Sequence, residues 1–416
     1  MTSVASIKGR TSWLEGNDLQ RLLAALGADG EQARVAGGAV RNALMGEVVT
    51  DIDIATTNTP DETIARAQAA GFKTVPTGKE HGTITVIAHH TPFEVTTLRE
   101  DVETDGRRAS VVFGRDWQRD AERRDFTFNA LYAEADGTVI DLVGGIEDLE
   151  QRRVRFIGDA EARIREDYLR ILRFFRFFAT YGAGRPDADG LKACARLKAG
   201  MERLSAERVW TELKKLLAAR DPSRALLWMR TAGVLTAILP ETEKWGIDAI
   251  HPLMAAEVEG GWVPDPMLRL AAMVPPQAER LAAMADRLKL SKAEASRLAG
   301  FAKAPEVGAA ATKAELARML YRSGRSGIED RLRLAIAKGK AAGDTDAASN
   351  LGRLLAYAQS WEKPELPIKG ADLIAAGAQP GPQLGELLSR LEADWIDSGF
   401  SLDRPALLAR AVEALK

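Results

Sequence analysis

The pattern of hydrophobic and polar positions changes near residue 150 of this 416-residue chain. Before that point, short runs rich in β-branched residues alternate with turn residues, which is typical of strands. The predicted strands lie at 33–37, 51–56, 82–88 and 93–98, with a hairpin over 129–143. Helical periodicity is found between them, at about 17–27, 38–46 and 60–71. This first region therefore predicts a small mixed α/β domain.

After residue 150 the pattern is almost wholly helical. Segments such as ALLWMRTAGVLTAIL and AERLAAMADRLKL repeat apolar residues every three or four positions, as amphipathic helices do. Glycine and proline pairs at 260–261 and 275–276 mark loops between helices. The predicted fold class is α+β: a mixed α/β domain over 1–150, followed by all-α segments at 151–220 and 221–416.

Composition and charge narrow the class of protein. Hydrophobic residues make up 46% and charged residues 28%, which is typical of globular domains. The formal net charge is −2, so binding to a polyanion requires a locally basic surface. The single cysteine, Cys194, cannot form an internal disulfide and suits a reducing compartment. No stretch has the length and apolarity of a signal peptide or membrane span, so we expect a cytoplasmic protein that does not bind membranes.

Few residues are suited to zinc chemistry, because the chain has only four histidines and one cysteine. The adjacent His89 and His90 lie in a turn-like segment and are expected at the surface. If the protein uses a metal, carboxylates are the expected ligands, and oxygen ligands favour Mg²⁺.

A glycine pair followed by two aspartates forms the first candidate site. Gly37 and Gly38 lie where a strand is predicted to end and a helix to begin, an arrangement that lets backbone N–H groups approach phosphate. Arg41, one turn later, is placed to reach the same anion. Asp51 and Asp53 are two apart on a predicted strand, so both point to one face, where a divalent metal would relieve their repulsion. Taken alone, each half suits a structural turn or a solvated strand edge; the combination is more specific.

Two further charged segments follow. In RRDFTFNALY (123–132), Arg123, Arg124 and Asp125 put two cations beside a carboxylate, which suits a triphosphate or ribose hydroxyls but equally a surface salt-bridge cluster. Asp167 and Arg170 then begin a three-residue spacing that places charges on one face of a predicted helix, either as a site or as a solvated face. The charged face continues to Arg173, and the apolar positions predict a core face: Leu169, Leu172, Phe175 and Phe178.

These motifs occur in the order found in one family. The segments GGAVRN, DID, RRDFTFNALY, DLVGG and EDYLRILRFFRF resemble the class II tRNA nucleotidyltransferases and the related bacterial poly(A) polymerases, in the DNA polymerase beta superfamily. The match covers about residues 33–180. The resemblance implies a catalytic head (1–150), a helical neck with a nucleotide-selecting helix (151–220), and a helical body and tail that bind tRNA (221–416). It also implies addition or repair of the 3′-terminal CCA from CTP and ATP, without a nucleic-acid template.

The resemblance also implies residue roles. They are triphosphate contacts from Gly38 and Arg41, Mg²⁺ ligation by Asp51 and Asp53, ribose selection by Arg123, Arg124 and Asp125, base recognition by Asp167 and Arg170, and nucleotide binding by Arg173 and Arg176. The sequence departs from the family at Asn42, where Asp is more common. A third carboxylate beside the metal is left open between Glu94 and Asp125.

Base recognition has a physical basis in this assignment. Cytosine and adenine each present an amino donor beside a ring-nitrogen acceptor, which complements an aspartate acceptor beside an arginine donor. Uracil and guanine present the reverse order and would leave polar groups unpaired. Asp167 and Arg170 are therefore expected to select C and A.

Several further properties rest on weaker signals. Residues 289–340 hold 12 Lys and Arg against 5 Asp and Glu, which suits contact with an RNA backbone but also suits ordinary solvated helices. The charged segment 98–113 suits a disordered surface loop, but it also resembles a flexible family loop that assists the switch from C to A addition, and that resemblance favours complete CCA synthesis. A poly(A) polymerase and a catalytically inactive RNA-binding protein are the alternatives. We expect a monomer, with a dimer left open.

Overall fold

The computed structural model describes residues 5–102, 110–243 and 247–415. They divide into two compact units. The first contains the chain up to Leu204 together with Trp228–Ala237, and the second contains Ser205–Leu227 together with the chain from Ile238 onward. All strands of the described residues lie in the first unit, and the second unit is helical. The predicted α+β class is confirmed.

The first unit is built on a mixed sheet. The described strands are β1 Ala33–Ala36, β2 Asp53–Thr56, β3 Lys73–Gly78, β4 Thr83–Ala88, β5 Thr91–Thr97, β6 Arg99–Val102, β7 Ser110–Phe113, β8 Leu131–Ala133 and β9 Val139–Asp141. Seven of them form one sheet in the order β3-β4-β5-β2-β1-β8-β9, while β6 pairs with β7. Within the large sheet only β2 and β5 are parallel. The predicted hairpin is β8–β9, and Gly137 in its turn has φ +89°.

Helices alternate with the strands of the sheet along the chain and make up almost all of the regular structure after β9. The first eight are α1 Asn17–Leu26, α2 Gly38–Met45, α3 Pro60–Ala69, α4 Trp117–Glu122, α5 Gly145–Glu150, α6 Ala160–Glu166, α7 Leu169–Tyr181 and α8 Ala188–Leu197. The rest are α9 Ala206–Leu217, α10 Ser223–Thr231, α11 Val234–Ile238, α12 Ile250–Gly260, α13 Pro266–Met273, α14 Ala278–Arg287, α15 Lys292–Lys303, α16 Lys313–Ser323, α17 Arg325–Ala341, α18 Thr345–Ser360, α19 Gly370–Ala375, α20 Pro382–Asp397 and α21 Arg404–Ala414. None of the helices in the described ranges is both long and apolar enough to cross a membrane.

Helix α7 packs through aromatic rings against the segment that follows α4 and against Phe156. The predicted core positions Leu169, Leu172, Phe175 and Phe178 are buried, and so are Ile171, Phe174 and Phe177. Phe126 lies 5.3 Å from Phe177 and 4.8 Å from Phe156, measured between ring centroids. Because these rings join the segment after α4 to α7, the first unit fixes its sheet and this helix as one body.

The second unit has its own cores. Buried leucines from α16, α17 and α18 pack together, among them Leu316, Leu332 and Leu355. A separate cluster around Trp395 and Leu407 joins α19, α20 and α21. Both clusters consist of residues with helical spacing, as the sequence predicts.

Candidate active site

Two carboxylates begin the site, on the only parallel pair within the seven-stranded sheet. Asp53 opens β2, and Glu94 lies beside it in β5 as its Cα partner. Neighbouring residues in register point to the same face of a sheet, and both side chains line one cavity of about 210 Å³. Arg123 and Arg124 line the same cavity. The prediction that Asp51 also lies on the strand is wrong, because β2 starts at Asp53.

The environment raises the pKa of the Asp53 carboxyl above its usual range. The main cause is partial removal from water, although the side chain still reaches solvent, and the next is the negative charge of Glu94. Arg124 opposes the shift and Asp51 adds to it. Asp51 itself is exposed and accepts a hydrogen bond from Thr50 Oγ1 at 2.9 Å. A divalent cation would relieve this concentration of negative charge.

The donor set fits a metal ion that is shared with a substrate. Within the described ranges, no three Asp, Glu, His or Cys side chains are grouped to hold a metal by themselves. Mg²⁺ is commonly held by one or two carboxylates together with water and substrate phosphates. Asp53, with Asp51 and Glu94 nearby, provides that kind of partial oxygen site.

The glycine pair forms the turn between β1 and α2. Gly37 has φ +66°, a conformation that L side chains rarely adopt. A Cβ at this position would lie 3.4 Å from Arg124 Nη1 and 3.4 Å from the carbonyl oxygen of Asn129. The turn therefore brings the backbone close to Arg124, and it joins the first two sequence motifs in space. Gly38 follows as the first residue of α2.

Arg41 is buried between α2 and α7, with 7% of its surface exposed. Its guanidinium donates to Asn129 Oδ1 at 2.5 Å and to the Tyr181 hydroxyl at 2.7 Å, and it lies 4.1 Å from the Tyr181 ring centroid. Across the described residues no carboxylate forms an ion pair with it, and burial lowers the pKa of this guanidinium. Its Nη2 lies 3.6 Å from where a Cβ on Gly38 would be. The start of α2 thus carries a buried positive charge with neutral partners.

Asn42 has a role that a carboxylate would not fill completely. Its Oδ1 accepts from Arg41 Nη2 at 2.9 Å and from the Tyr181 hydroxyl at 3.1 Å. Its amide nitrogen donates to the carbonyl oxygen of Val48 at 2.8 Å. Because a carboxylate accepts only, the Asn at this position allows both contacts.

Asp120 holds the two arginines of the RRD motif. Its Oδ1 accepts from Arg123 Nη2 at 2.6 Å, and its Oδ2 accepts from Arg124 Nη2 at 3.1 Å and from the Tyr132 hydroxyl at 2.7 Å. The Asp120 side chain is 1% exposed. Asp120 was not predicted from the sequence, although it lies three and four residues before the arginines that follow the end of α4, and this spacing was a signal.

Asp125 pairs across to α7 and not with its neighbouring arginines. Arg173 Nε donates to Asp125 Oδ2 at 2.7 Å, and Asn129 Nδ2 donates to Oδ1 at 3.0 Å. Arg176, one turn after Arg173, lies 4.1 Å from the Phe177 ring centroid. Of the two residues considered for a third carboxylate near the metal, Glu94 is the one that lies beside Asp53.

The prediction that Asp167, Arg170 and Arg173 share one continuous helix is wrong. Helix α6 ends at Glu166 and α7 begins at Leu169, so Asp167 lies in the break with an extended φ of −151°. Its Oδ1 accepts from the Leu169 N–H at 3.1 Å. An aspartate that binds the first free N–H groups of a helix favours a new start, and this explains the break.

Arg170 connects this break to the RRD motif. Its Nη1 donates to the Arg163 carbonyl oxygen at 2.8 Å and to the Glu166 carboxylate, and its Nη2 donates to the Arg123 carbonyl oxygen at 3.4 Å. The Glu166–Arg170 ion pair therefore joins two helices, α6 and α7. Next to Asp167, the Tyr168 ring packs directly on Gly200, where any Cβ would overlap it.

The basic window 289–340 corresponds to α15, α16 and α17 in the second unit. Many of its cations are neutralised by acids, for example Arg297 by Asp330 at 2.8 Å and by Asp265 at 2.5 Å. Others stay exposed with no acidic partner in the part of the chain that the structure describes: Lys292, Lys303 and Lys338. Strands β6 and β7 form the two ends of the charged segment 98–113 and pair with each other, and the central residues 103–109 lie outside the described ranges.

Comparisons with known proteins agree with the geometry. Residues 33–155 match the family model "Poly A polymerase head domain", 186–245 match "Probable RNA and SrmB- binding site of polymerase A", and 271–411 match a model of tRNA nucleotidyltransferase domain 2. The chain is 35% identical to the mitochondrial CCA tRNA nucleotidyltransferase 1 of Mus musculus, over 94% of this chain and 89% of that protein. It is 32% identical to the CCA-adding enzyme of Levilactobacillus brevis, over 92% and 94%. The crystal structure of the Bacillus stearothermophilus CCA-adding enzyme with CTP superposes with a TM-score of 0.69 at 26% identity, covering 96% of this chain and 97% of that one.

Proposed function

The chain belongs to the CCA-adding tRNA nucleotidyltransferases, and from that premise we propose how its residues build the 3′-terminal CCA of tRNA. The substrates are tRNA, CTP and ATP, and each step transfers a nucleotide to the tRNA 3′-hydroxyl and releases pyrophosphate. No nucleic-acid template is used. One observation carries the proposal: Asp53 and Glu94 face the same cavity as Arg123 and Arg124.

The family fold implies a divalent metal, and we assign Mg²⁺ to Asp51 and Asp53. Glu94 supplies further negative charge beside Asp53. The chemistry that Mg²⁺ supplies when bound is to lower the pKa of the attacking 3′-hydroxyl and to neutralise charge on the triphosphate. The contribution of the protein is to hold the Asp53 and Glu94 carboxylates on two paired strands that line the cavity, with Asp51 two residues before Asp53.

The nucleotide is assigned to the arginine side of the cavity. Asp120 neutralises one of the two charges of Arg123 and Arg124, so a net positive charge remains toward the ribose and phosphates. The start of α2 at Gly38 offers backbone N–H groups to a phosphate, and the buried charge of Arg41 lies behind it. Asp125 holds Arg173 in place and so connects ribose selection to α7, where Arg176 continues the basic face.

Asp167 and Arg170 are assigned to base selection. Asp167 lies just before α7 and Arg170 lies in its first turn, and an aspartate acceptor together with an arginine donor complements the edges of cytosine and adenine. Arg170 also contacts the backbone of Arg123. The base-selecting segment is therefore held against the ribose-selecting segment, and U and G would leave unpaired groups there.

The helical remainder is assigned to tRNA. We retain the division into a head (1–150), a neck (151–220) and a body and tail (221–416), with Lys292, Lys303 and Lys338 as candidate phosphate contacts. Binding through them weakens with added salt because counterions are released from the RNA. We also retain a monomeric state and a cytoplasmic location as predictions, although the mouse relative is named mitochondrial.

An incorporation assay tests the function. Purified protein is incubated with a tRNA transcript lacking CCA, CTP, ATP and Mg²⁺, and the products are resolved at single-nucleotide resolution. Addition of two C and one A, followed by a halt, is the expected result. Long A tails would identify a poly(A) polymerase, which the head-domain match also allows. No incorporation by a folded protein would favour the inactive RNA-binding alternative.

A further inference from the structure

A buried carboxylate under the RRD motif has no assigned role in the reaction. Asp120 Oδ1 accepts from Arg123 Nε at 2.9 Å and Nη2 at 2.6 Å. Asp120 Oδ2 accepts from Arg124 Nε at 3.2 Å, from Arg124 Nη2 at 3.1 Å and from the Tyr132 hydroxyl at 2.7 Å. The backbone N–H of Arg99 approaches Oδ1 at 3.4 Å. This one side chain therefore fixes the orientation of both guanidinium planes.

The geometry leaves one edge of each arginine for other partners. Arg123 uses Nε and Nη2 on Asp120, and its Nη1 has no hydrogen-bond partner among the described residues. Arg124 Nη1 reaches only the Asn129 carbonyl oxygen, at 3.3 Å. The arginines are 18% and 24% exposed, while Asp120 is 1% exposed. Asp120 thus lines the cavity with almost no exposed surface of its own, while the two arginines that it holds keep part of theirs exposed.

Asp120 also competes with Asp53 and Glu94 for pairing with the two arginines. Arg124 lines the same cavity as Asp53, and Asp53 lies beside Glu94. Although burial alone would raise it, the two guanidiniums hold the pKa of Asp120 below its usual range. Apart from Asp120, the carboxylates that line this cavity with both arginines are Asp53 and Glu94, so they are the partners that the arginines would attract if the charge of Asp120 were removed.

We propose that Asp120 is a positioning residue that orients Arg123 and Arg124 toward the incoming nucleotide and keeps them from pairing with Asp53 and Glu94. This inference rests on the proposed function, because it takes the two arginines as nucleotide contacts. It gives Asp120 two effects on the reaction: tighter nucleotide binding, and carboxylates that stay free for the metal.

The same unit contains a matched control. Asp148 is also fully buried and accepts from two arginines, Arg153 Nε at 2.5 Å and Arg155 Nε at 2.7 Å, and from one hydroxyl, Thr127 Oγ1 at 2.6 Å. It does not line the cavity of Asp53. Asp120→Asn and Asp148→Asn therefore remove the same charge from the same kind of cluster, and only the first is expected to affect the nucleotide.

The experiment measures steady-state constants for CTP addition to a tRNA transcript lacking CCA, with thermal unfolding of each variant recorded alongside. For Asp120→Asn we expect the KM for CTP to rise about ten- to a hundredfold, as for loss of charged hydrogen bonds. The Mg²⁺ concentration for half-maximal rate should also rise, while the KM for tRNA stays within about twofold. Asp148→Asn should lower the unfolding temperature but leave the KM for CTP and the Mg²⁺ requirement unchanged.

Two outcomes overturn the inference: an unchanged KM for CTP in Asp120→Asn, or equal increases in both variants. If Asp120→Asn does not fold, Asp120→Glu carries the test, since it keeps the charge and displaces it by one methylene; an unchanged KM for CTP there counts against the inference. Arg123→Ala and Arg124→Ala separate this failure from failure of the proposed function. If neither changes the KM for CTP, the arginine assignment itself is wrong; if they do and Asp120→Asn does not, only the positioning role is lost.

Discussion

Two residues of the first unit and one ion pair of the second differ in how their charges are matched. In the first unit Asp53 lies beside another carboxylate, and among the described residues the buried Arg41 donates hydrogen bonds to neutral side chains. In the second unit, Arg269 and Glu257 are 1% and 4% exposed and form a closed pair at 2.6 Å. A charge that has no opposite charge beside it in the fold stays available to a ligand. A charge that is paired within the protein serves the stability of the fold instead. The four predictions below test this difference.

The largest expected effect comes from removing an unmatched carboxylate. Asp53→Ala should reduce CCA incorporation by at least about a thousandfold, because loss of metal-dependent charge stabilisation is worth several kcal/mol. Its unfolding temperature should be unchanged or higher, since the repulsion from Glu94 disappears. Asp61→Ala, at an exposed aspartate paired with Lys79, is the control and should keep full activity. Near-normal incorporation by Asp53→Ala would contradict the metal assignment.

Removing a charge that is paired inside the protein should lower stability and leave nucleotide binding unchanged. Arg269→Met leaves Glu257 buried without its partner and removes donors to the carbonyl oxygens of Leu217 and Ala219, at 2.6 Å each. We expect a loss of about 3–5 kcal/mol in the free energy of unfolding, measured by urea denaturation, with the KM for CTP unchanged below the transition. Arg410→Met, at the exposed pair with Asp394, should cost less than about 1 kcal/mol. Equal losses in both variants would remove the distinction between buried and exposed pairs.

Asp167 combines both kinds of role, because it accepts a hydrogen bond from the Leu169 N–H at the start of α7 and is assigned to recognition of the base. Asp167→Ala should loosen discrimination of CTP over UTP by about a hundredfold, since the complementary acceptor is lost. Competition between the two nucleotides in single-turnover incorporation measures this ratio. The matched control is Asp159→Ala, which removes a similar N-terminal contact from α6, to the Ala162 N–H at 2.7 Å. Unchanged selectivity in Asp167→Ala would refute base recognition.

The smallest effect concerns pH and a matched carboxylate of the second unit. Partial burial alone would raise the pKa of Glu294, but the Lys214 ammonium and the Ser291 N–H lower it to about 2. An acid with a lowered folded-state pKa stabilises the fold above its unfolded pKa, and the contribution is lost as pH falls toward 2. Glu294→Gln should therefore cost about 1–2 kcal/mol at pH 7, and the difference from the parent should shrink as the pH is lowered below about 4.5. A pH-independent difference would show that the charge is not the cause.

Local patterns were sufficient for most of the fold. Helices α1, α2 and α3 and the β8–β9 hairpin follow from periodicity and turn residues, because these signals act within a few positions. The break before α7 was missed, although an aspartate two residues before Leu169 is a helix-start signal. The long apolar periodicity on both sides of the break concealed it.

The candidate site depended on contacts between distant segments. The neighbourhood of Asp53 and Glu94 exists only because β2 and β5 pair in parallel, which no local pattern specifies. The partner of Asp125 was likewise not predictable from its flanking arginines, since Arg173 comes from α7. The side-chain types of the site were readable from the sequence; which of them touch required the folded chain.

The packing of Tyr168 on Gly200 connects the segment that we assign to base selection to a distant part of the chain. A methyl group at position 200 would occupy the space of the aromatic ring, so the ring and the adjoining Asp167 would have to shift together. In a screen of random variants for altered nucleotide preference, position 200 would therefore score alongside the residues that contact the base. An engineer who redesigns the specificity of this enzyme should keep that glycine fixed, or should vary it together with the aromatic residue above it.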